Sequence, residues 1–200
     1  MIARTLALTA AAVLSAACTA EKRPAASATA AATTAATAAA TAAAACFGSR
    51  VLSYQDIVAE VVIPAGERCD NGTFTVVFTH GTDTLGSLSE TRRGVVGFIG
   101  TADVNGDGRG EFFVATTASG PTVPGALYAY TESADGIKRM QLAALDSTQR
   151  AGYTGGDRFG FGAPDQLVHA FPLGGSDTAW FGYSHRTSRW VTIARPSWLR

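Results

Sequence analysis

The sequence TFTVVFT at residues 73–79 carries the clearest structural signal in the chain. Threonine, valine and phenylalanine are enriched in β-strands because branched and aromatic side chains pack well on a pleated surface. Other short apolar runs, bounded by Gly, Pro, Asn or Asp, repeat this pattern on both sides of it. They predict strands at residues 57–63, 73–79, 95–102, 111–117, 126–131, 137–143, 167–171, 179–183 and 190–194.

No segment keeps a 3.6-residue apolar period for long, so no long helix is predicted. One short helix is predicted near residues 51–57. Asp135-Gly136 stands between two predicted strands and is typical of a two-residue hairpin turn. The sequence therefore predicts a mainly β domain built of antiparallel sheets, and an α+β fold with one or two short helices is the alternative.

The charge of the chain is balanced. It has 200 residues, with 16 Lys and Arg against 16 Asp and Glu, and its formal net charge is zero. Residues 46–200 hold 13 basic and 15 acidic side chains, which gives a net charge of −2. Strong nucleic-acid binders neutralise phosphates with clustered Lys and Arg. We therefore expect no nucleic-acid partner.

Residues 1–17 have the three parts of an export signal. Arg4 precedes an apolar segment at residues 6–14, and three small residues come just before Cys18. This arrangement resembles a bacterial lipoprotein signal, in which the peptidase cuts before a cysteine that carries lipid. Leu14 lies one position earlier than that pattern places its leucine. Ordinary cleavage, which releases a free secreted protein, is the alternative.

Residues 18–45 begin with Cys18 and consist mostly of alanine and threonine. These side chains are too small to build a core and too weakly apolar to favour membrane insertion. The segment is therefore predicted to be a disordered tether. A β-rich extracytoplasmic domain is predicted at residues 46–200.

Cys46 and Cys69 remain once Cys18 is assigned to lipid. Export implies an oxidising compartment, where cysteines pair. A Cys46–Cys69 disulfide is the expectation, and it would contribute about 3 kcal/mol in the chain-entropy model. Two free thiols are the alternative. Without a CxxC motif, neither a redox site nor a zinc knuckle is supported.

The segment DVNGDGRGE at residues 103–111 is the motif with the clearest chemistry. Calcium takes oxygen ligands from carboxylates, amides, carbonyls and water. Side chains at alternate positions converge when a chain wraps around an ion. The expected Ca²⁺ ligands are Asp103, Asn105, Asp107, Arg109 through its carbonyl, and Glu111.

The same loop also suits a tight turn without metal, because Asn-Gly-Asp-Gly favours turns and its acids accept bonds from backbone N–H groups. An EF-hand is excluded, since Val114 stands where that loop needs an acid. If calcium binds, a structural role is expected rather than a catalytic one.

The loop is flanked by predicted strands and resembles the calcium loop of FG-GAP and VCBS-type units of secreted β proteins. Residues 158–164, RFGFGAP, are similar to the Phe-Gly and Gly-Ala-Pro elements of that family. That family usually repeats its loop in a β-propeller, and one copy is too few for that. The whole arrangement resembles a group of uncharacterised lipoproteins from high-GC Gram-positive bacteria. The resemblance implies an envelope location and an ion site, and no established activity.

Other side chains give weaker signals. His80, His169 and His185 form neither HExxH nor HxH, so a catalytic zinc site is unsupported. His169 lies in an apolar run, where a hydrogen-bonded strand histidine is expected. No GxSxG or Ser-x-x-Lys motif marks a nucleophile. The C-terminal aromatic residues are Trp180, Phe181, Tyr183, Trp190 and Trp198. They are expected to form the core of the last hairpin, with a glycan or peptide groove as the alternative, and Trp198, which lies beyond Pro196, is expected to be exposed.

These observations predict a non-enzymatic binding or structural module of the cell envelope. The module would be anchored to the outer face of the membrane through lipid on Cys18, or otherwise secreted. Its expected partners are the membrane and a protein or glycan ligand. A secreted hydrolase of envelope polymers is the alternative. A cleft that holds His169 or His185 beside an acid would favour the hydrolase.

Overall fold

The computed structural model describes residues 49–117, 123–162 and 165–197. The predicted signal and tether, with Cys18 and Cys46, lie outside the described residues, as does Trp198. No helix in the described part of the chain is long and apolar enough to cross a membrane.

The described residues form three antiparallel meanders of four strands each, which we name sheets I, II and III. The mainly β prediction is confirmed. The regular helical element among these residues is one 3-10 turn at His185–Thr187. Sheet I holds β1 (Arg50–Tyr54), β2 (Ile57–Val62), β3 (Asn71–His80) and β4 (Asp83–Arg93). Sheet II holds β5 (Val95–Ala102), β6 (Glu111–Thr117), β7 (Leu127–Ser133) and β8 (Gly136–Met140). Sheet III holds β9 (Arg158–Gly162), β10 (Gln166–Pro172), β11 (Thr178–Ser184) and β12 (Arg189–Thr192).

The nine strands expected from the sequence are present, and β1, β4 and β9 were missed. The short helix predicted near residues 51–57 is wrong. Residues 50–54 instead pair with β2 in register, from Arg50 with Val61 to Tyr54 with Ile57. The β4 sequence is mostly polar, and its strand conformation follows from pairing along the length of β3. Pairing with a neighbouring strand overrides a weak local preference in both places.

Sheet II lies between two hydrophobic cores, and its inner strand β6 contributes side chains to both. Phe112 and Val114 point into the core shared with sheet I, while Phe113 points into the core shared with sheet III. Successive side chains of a strand point to opposite faces. A strand covered on both faces therefore reads as a continuous apolar run, and residues 112–115 (FFVA) are all buried.

Gly94 is the single residue that joins sheet I to sheet II. Its backbone φ is +99°, and a Cβ at this position would lie 2.0 Å from the carbonyl oxygen of Thr117. Its N–H donates to the carbonyl of Asp70 at 2.7 Å. Only glycine adopts this conformation in so little space, so the chain leaves one sheet and starts the next at this point.

Arg92 is completely buried beside this junction. Its guanidinium donates to the carbonyls of Arg68 at 2.6 Å and Cys69 at 2.5 Å. It also donates to the carbonyls of Thr73 at 3.2 Å and Gly94 at 3.1 Å, and its Nη2 lies 3.6 Å from Oε2 of Glu67. A buried arginine needs such partners because an unpaired buried charge is very costly. The side chain therefore ties the β2–β3 connection to the end of β4.

Candidate functional site

The acidic segment forms the loop of the β5–β6 hairpin, as the sequence predicts. Asp103 Oδ1 accepts bonds from the N–H groups of Gly106 at 2.7 Å and Asp107 at 3.1 Å. Its Oδ2 accepts one from Gly108 at 2.8 Å. Asp107 Oδ1 accepts the N–H of Arg109 at 2.9 Å. The loop's own backbone donors thus satisfy these two carboxylates, as in a tight turn.

Asn105 and Glu111 close the inner side of the loop. Glu111 is completely buried, and its Oε2 accepts the N–H of Val104 at 2.9 Å. Asn105 Nδ2 donates to Oε1 of Glu111 at 2.9 Å and to Oδ2 of Asp107 at 3.1 Å. Burial and, to a smaller extent, the nearby charges of Asp107 and Asp103 together raise the pKa of Glu111 to about 7.

The residue types of this loop fit calcium better than its side-chain arrangement does. Among the described residues, no group of three or more His, Cys, Asp or Glu side chains is placed to hold a metal ion. The amide nitrogen of Asn105 lies between the carboxylates of Asp107 and Glu111, where a cation would bind. The amide group of Asn105 therefore stabilises the two carboxylates by hydrogen bonds, which is part of the stabilisation that a bound cation would supply.

The β1–β2 turn holds the loop in place from sheet I. Gln55 Nε2 donates to the carbonyl of Gly108 at 3.0 Å. The ring of Tyr54 packs on Gly110, where an added Cβ would lie 2.3 Å from the ring. Glycine is required at position 110 because no side chain fits beneath that ring.

The second candidate is a half-enclosed cavity of about 270 Å³ at the margin of the core between sheets II and III. Its apolar walls include Leu142 and Leu145 from the segment after β8, Phe159 from β9 and Trp190 from β12. Its polar side chains are Arg150, Tyr153, Asp157 and His169. A small concave apolar site with a few convergent polar groups is the usual form of a ligand pocket.

Asp157 is the centre of the polar network in the cavity wall. It is 2% exposed. Its Oδ1 lies 2.7 Å from Nε2 of His169. Its Oδ2 accepts the hydroxyl of Tyr153 and, at 2.7 Å, the N–H of Gly125. Three donors from different segments therefore surround one buried carboxylate.

The network also changes how these groups titrate. Burial acts to raise the pKa of Asp157, but the hydrogen bonds from His169, Tyr153 and Gly125 outweigh it and hold that pKa below its usual value. Burial and the bond to the Asp157 carboxylate raise the pKa of Tyr153. At neutral pH the carboxylate is therefore ionised and the phenol is neutral.

His169 is fixed by aromatic rings as well as by Asp157. Its ring stacks on Phe159 with a centroid distance of 4.2 Å and meets the edges of Phe171 at 5.5 Å and Trp190 at 5.7 Å. The expectation of a hydrogen-bonded strand histidine is confirmed, since His169 lies in β10 with a carboxylate partner. Sequence reasoning missed Asp157, Tyr153 and the cavity. A histidine inside a continuous apolar run was the available signal that a buried partner exists.

The predicted aromatic cluster is confirmed in part as core. Phe181, Tyr183 and Trp190 belong to the core between sheets II and III. Trp190 donates its indole N–H to the carbonyl of Ala143 at 2.7 Å and also lines the cavity. Cys69 is disulfide-bonded. Its pairing with Cys46 stays a prediction, because that partner lies outside the described residues.

No protein-family model matches the chain, and no curated protein matches it. Its structure is similar in part to the crystal structure of PliI-Ah, a periplasmic lysozyme inhibitor of I-type lysozyme from Aeromonas hydrophyla. The TM-score is 0.44 and the identity 19%, and the match covers 50% of this chain and 92% of that chain. A likeness of this degree defines no family. The described architecture defines the class: three antiparallel β-meanders with a cavity at the margin of the second core.

Proposed function

We propose that the protein is an extracytoplasmic binding module, anchored to the membrane through lipid on Cys18, that holds a small organic ligand in the cavity between sheets II and III. The observation that carries this proposal is the composition of the cavity wall. Apolar side chains form most of it, and the buried polar groups are held in place by one another. Such a largely preformed wall lowers the entropic cost of ordering side chains when a ligand binds.

A binding role fits this wall better than a catalytic one. The side chains that line the cavity, among the described residues, include no Ser, Thr or Cys. Hydrolysis through a covalent intermediate needs a nucleophile next to its base. Asp157 is already surrounded by three donors, which suits a structural and positioning role for its charge.

A secreted hydrolase remains the second candidate, because one specific observation favours it. His169 lies beside Asp157 in a cavity wall, which is the arrangement that would mark a hydrolase. A His–Asp pair can act as a general base on water without a protein nucleophile. The test is turnover of an ester or a glycoside. Turnover that is lost in a His169→Gln variant that still binds the substrate would favour the hydrolase over the binding module.

A substitution that blocks the rim of the cavity with a large side chain tests the binding module. Ala144 is an exposed residue that lines the cavity, so Ala144→Phe adds a large side chain there without removing a buried group. Indole added to the isotope-labelled full-length protein is expected to shift the NMR signals of Leu142, Leu145 and Trp190. The Ala144→Phe variant is expected to lose at least about tenfold in indole affinity, or about 1.4 kcal/mol.

Ala65→Phe is the matched control for this substitution, because Ala65 is exposed in the β2–β3 connection and is not among the cavity-lining residues. It is expected to bind indole like the unmodified protein. Signal changes spread over other surfaces, or equal binding by both variants, would remove the cavity as the binding site.

We also propose that the Asp103–Glu111 loop binds Ca²⁺ as a structural ion. Calcium would need the side-chain oxygen of Asn105, and not its amide nitrogen, to face Asp107 and Glu111. The buried carboxylate of Glu111 supports the proposal, because a nearby cation would favour its charged form. The observed turn, in which backbone donors satisfy the acids, is the competing arrangement.

Thermal unfolding in EDTA and in 10 mM Ca²⁺ tests this ion site. With a Kd of about 10⁻⁴–10⁻³ M, as in extracellular modules, this concentration stabilises the native state by about 1.4–2.7 kcal/mol. The midpoint is expected to rise by roughly 3–10 °C. Asp107→Ala is expected to abolish the rise, and Asp135→Ala, in the β7–β8 turn, to preserve it. An unchanged midpoint in the unmodified protein would leave the loop as a plain turn.

A further inference from the structure

The cavity is bordered by an exposed cation that forms no ion pair with the described residues. The side chain of Arg150 lines the cavity. Among the described residues, no carboxylate lies within ion-pair distance of its guanidinium, and no hydrogen bond from that group is formed. A guanidinium presents five donors in a planar fork and is always charged. Arg150 therefore has its full binding capacity free.

The backbone that carries Arg150 is well fixed. Its N–H donates to the carbonyl of Asp146 at 3.1 Å, and its carbonyl accepts the N–H of Tyr153 at 3.0 Å. Asp146 and Gln149 exchange two further bonds, at 2.8 Å and 3.0 Å. Gln149 Nε2 also donates to the carbonyl of Trp190 at 2.8 Å, which ties the turn to sheet III. Only the side chain of Arg150 has to be ordered by a ligand.

The other charged groups of the wall do not compete for the same ligand. Asp157 is 2% exposed, and His169, Tyr153 and Gly125 occupy its oxygens. Among the described residues that line the cavity, the guanidinium of Arg150 therefore carries the accessible charge, which is a single positive charge. A doubly charged phosphate would call for more than one cation, whereas one guanidinium matches one carboxylate in a bidentate pair.

The apolar part of the cavity wall limits the size and the chemistry of the uncharged part of the ligand. Leu142, Leu145 and the ring of Trp190 are apolar. The volume of about 270 Å³ lies near the lower end of the range of about 300–1,000 Å³ that is usual for small-molecule pockets. Aromatic side chains in the wall favour an aromatic guest through offset or edge contacts.

We infer that the cavity takes a small monocarboxylate with an aromatic body, held by a bidentate pair between its carboxylate and the Arg150 guanidinium. The aromatic body lies against Leu142, Leu145 and Trp190. This inference rests on the proposed binding function and names the chemical class of its ligand.

The test compares two probes of one shape with the full-length protein by isothermal titration calorimetry. They are 3-phenylpropionate, which carries the carboxylate, and the neutral 3-phenylpropionamide. The carboxylate is expected to bind about tenfold more tightly, as a charge-assisted pair is stronger than a neutral one. Arg150→Gln is expected to remove this preference and to leave the affinity for the amide unchanged, whereas Arg150→Lys is expected to restore part of it.

Arg186→Gln is the matched control, because Arg186 is exposed in the 3-10 turn and is not among the residues that line the cavity. It is expected to keep the full preference. Equal affinity for carboxylate and amide, or a preference that survives Arg150→Gln, overturns this inference and leaves the binding module intact. If neither probe binds, this result overturns the inference and counts against the binding module as well.

Discussion

Replacing Asp157 by alanine is expected to lower the free energy of unfolding by about 3–5 kcal/mol, because three donors lose a buried acceptor at about 1–3 kcal/mol each. The carboxylate is 2% exposed and accepts hydrogen bonds from His169, Tyr153 and the N–H of Gly125. Its loss leaves three donors in the cavity wall without their acceptor. For a chain of this length, thermal unfolding should show a midpoint lower by roughly 6–20 °C. Urea unfolding should show a lower midpoint concentration.

The pH dependence of unfolding is an independent test of how much the Asp157 carboxylate contributes to stability. Its pKa is lowered in the folded protein. Ionised Asp157 therefore adds stability above the unfolded pKa of about 3.9, and that stability is lost as the pH falls through the folded pKa. Asp157→Asn is expected to remove this acid-side loss of stability.

Asp177→Asn is the control for Asp157, because Asp177 is exposed between β10 and β11. It is expected to unfold like the unmodified protein at every pH. If Asp157→Asn and Asp177→Asn destabilised the protein equally, the network around Asp157 would have no special energetic role, and the cavity wall could not be regarded as preformed.

Replacing Arg92 by methionine is expected to destabilise the protein by a similar amount, about 3–5 kcal/mol. Methionine fills much of the same space but donates no hydrogen bonds. The carbonyls of Arg68, Cys69, Thr73 and Gly94 lose their donor, and Glu67 loses the nearby cation. Buried acceptors that lose their partner cost about 1–3 kcal/mol each when no water replaces it.

Arg93→Met is the matched control for Arg92→Met, because Arg93 is the next residue in β4 and is exposed. Denaturant unfolding should show almost no change in Arg93→Met. Arg92→Lys should recover only part of the loss, since an ammonium group cannot reach carbonyls on several sides with one planar fork. Faster hydrogen exchange at the N–H of Gly94 in Arg92→Met would locate the defect at the junction of sheets I and II. Equal stability of the two methionine variants would mean that Arg92 does not hold this junction.

Both large effects lie between segments that are distant in the sequence. Arg92 joins the β2–β3 connection to the end of sheet I, 24 residues from Arg68. Asp157 joins the segment before β9 to Gly125, 32 residues earlier. The two contacts link successive parts of the layered fold, so their loss should reduce the cooperativity of the whole β domain.

Local sequence was sufficient for the fold class and for much of its strand content. The TFTVVFT run became β3, and the apolar run at residues 112–115 became the strand that is buried on both faces. Asp135-Gly136 lies at the β7–β8 turn, as its turn preference predicts. The acidic segment also lies in a hairpin loop, as expected. These features depend on residues that are close in sequence, where propensity and alternation act directly.

The strands that sequence reasoning missed have a different origin. β4 has few apolar residues, and β1 coincides with a segment that was expected to be helical. Both are strands because they pair with β3 and β2. The succession of three meanders also left no repeat in the sequence, because it is a repetition of hydrogen-bonded pairing and not of residue types.

Local sequence patterns were enough to predict a β domain, the position of the acidic loop and the kinds of oxygen that this loop offers. Only the tertiary structure determined the cavity. Its wall brings together Leu142, Arg150, Asp157, His169 and Trp190 from separate segments. The physical reason is that a cavity is the space left where two sheets and their connections pack imperfectly. No local preference of the chain encodes that space, because its position depends on the packing of residues far apart in the sequence.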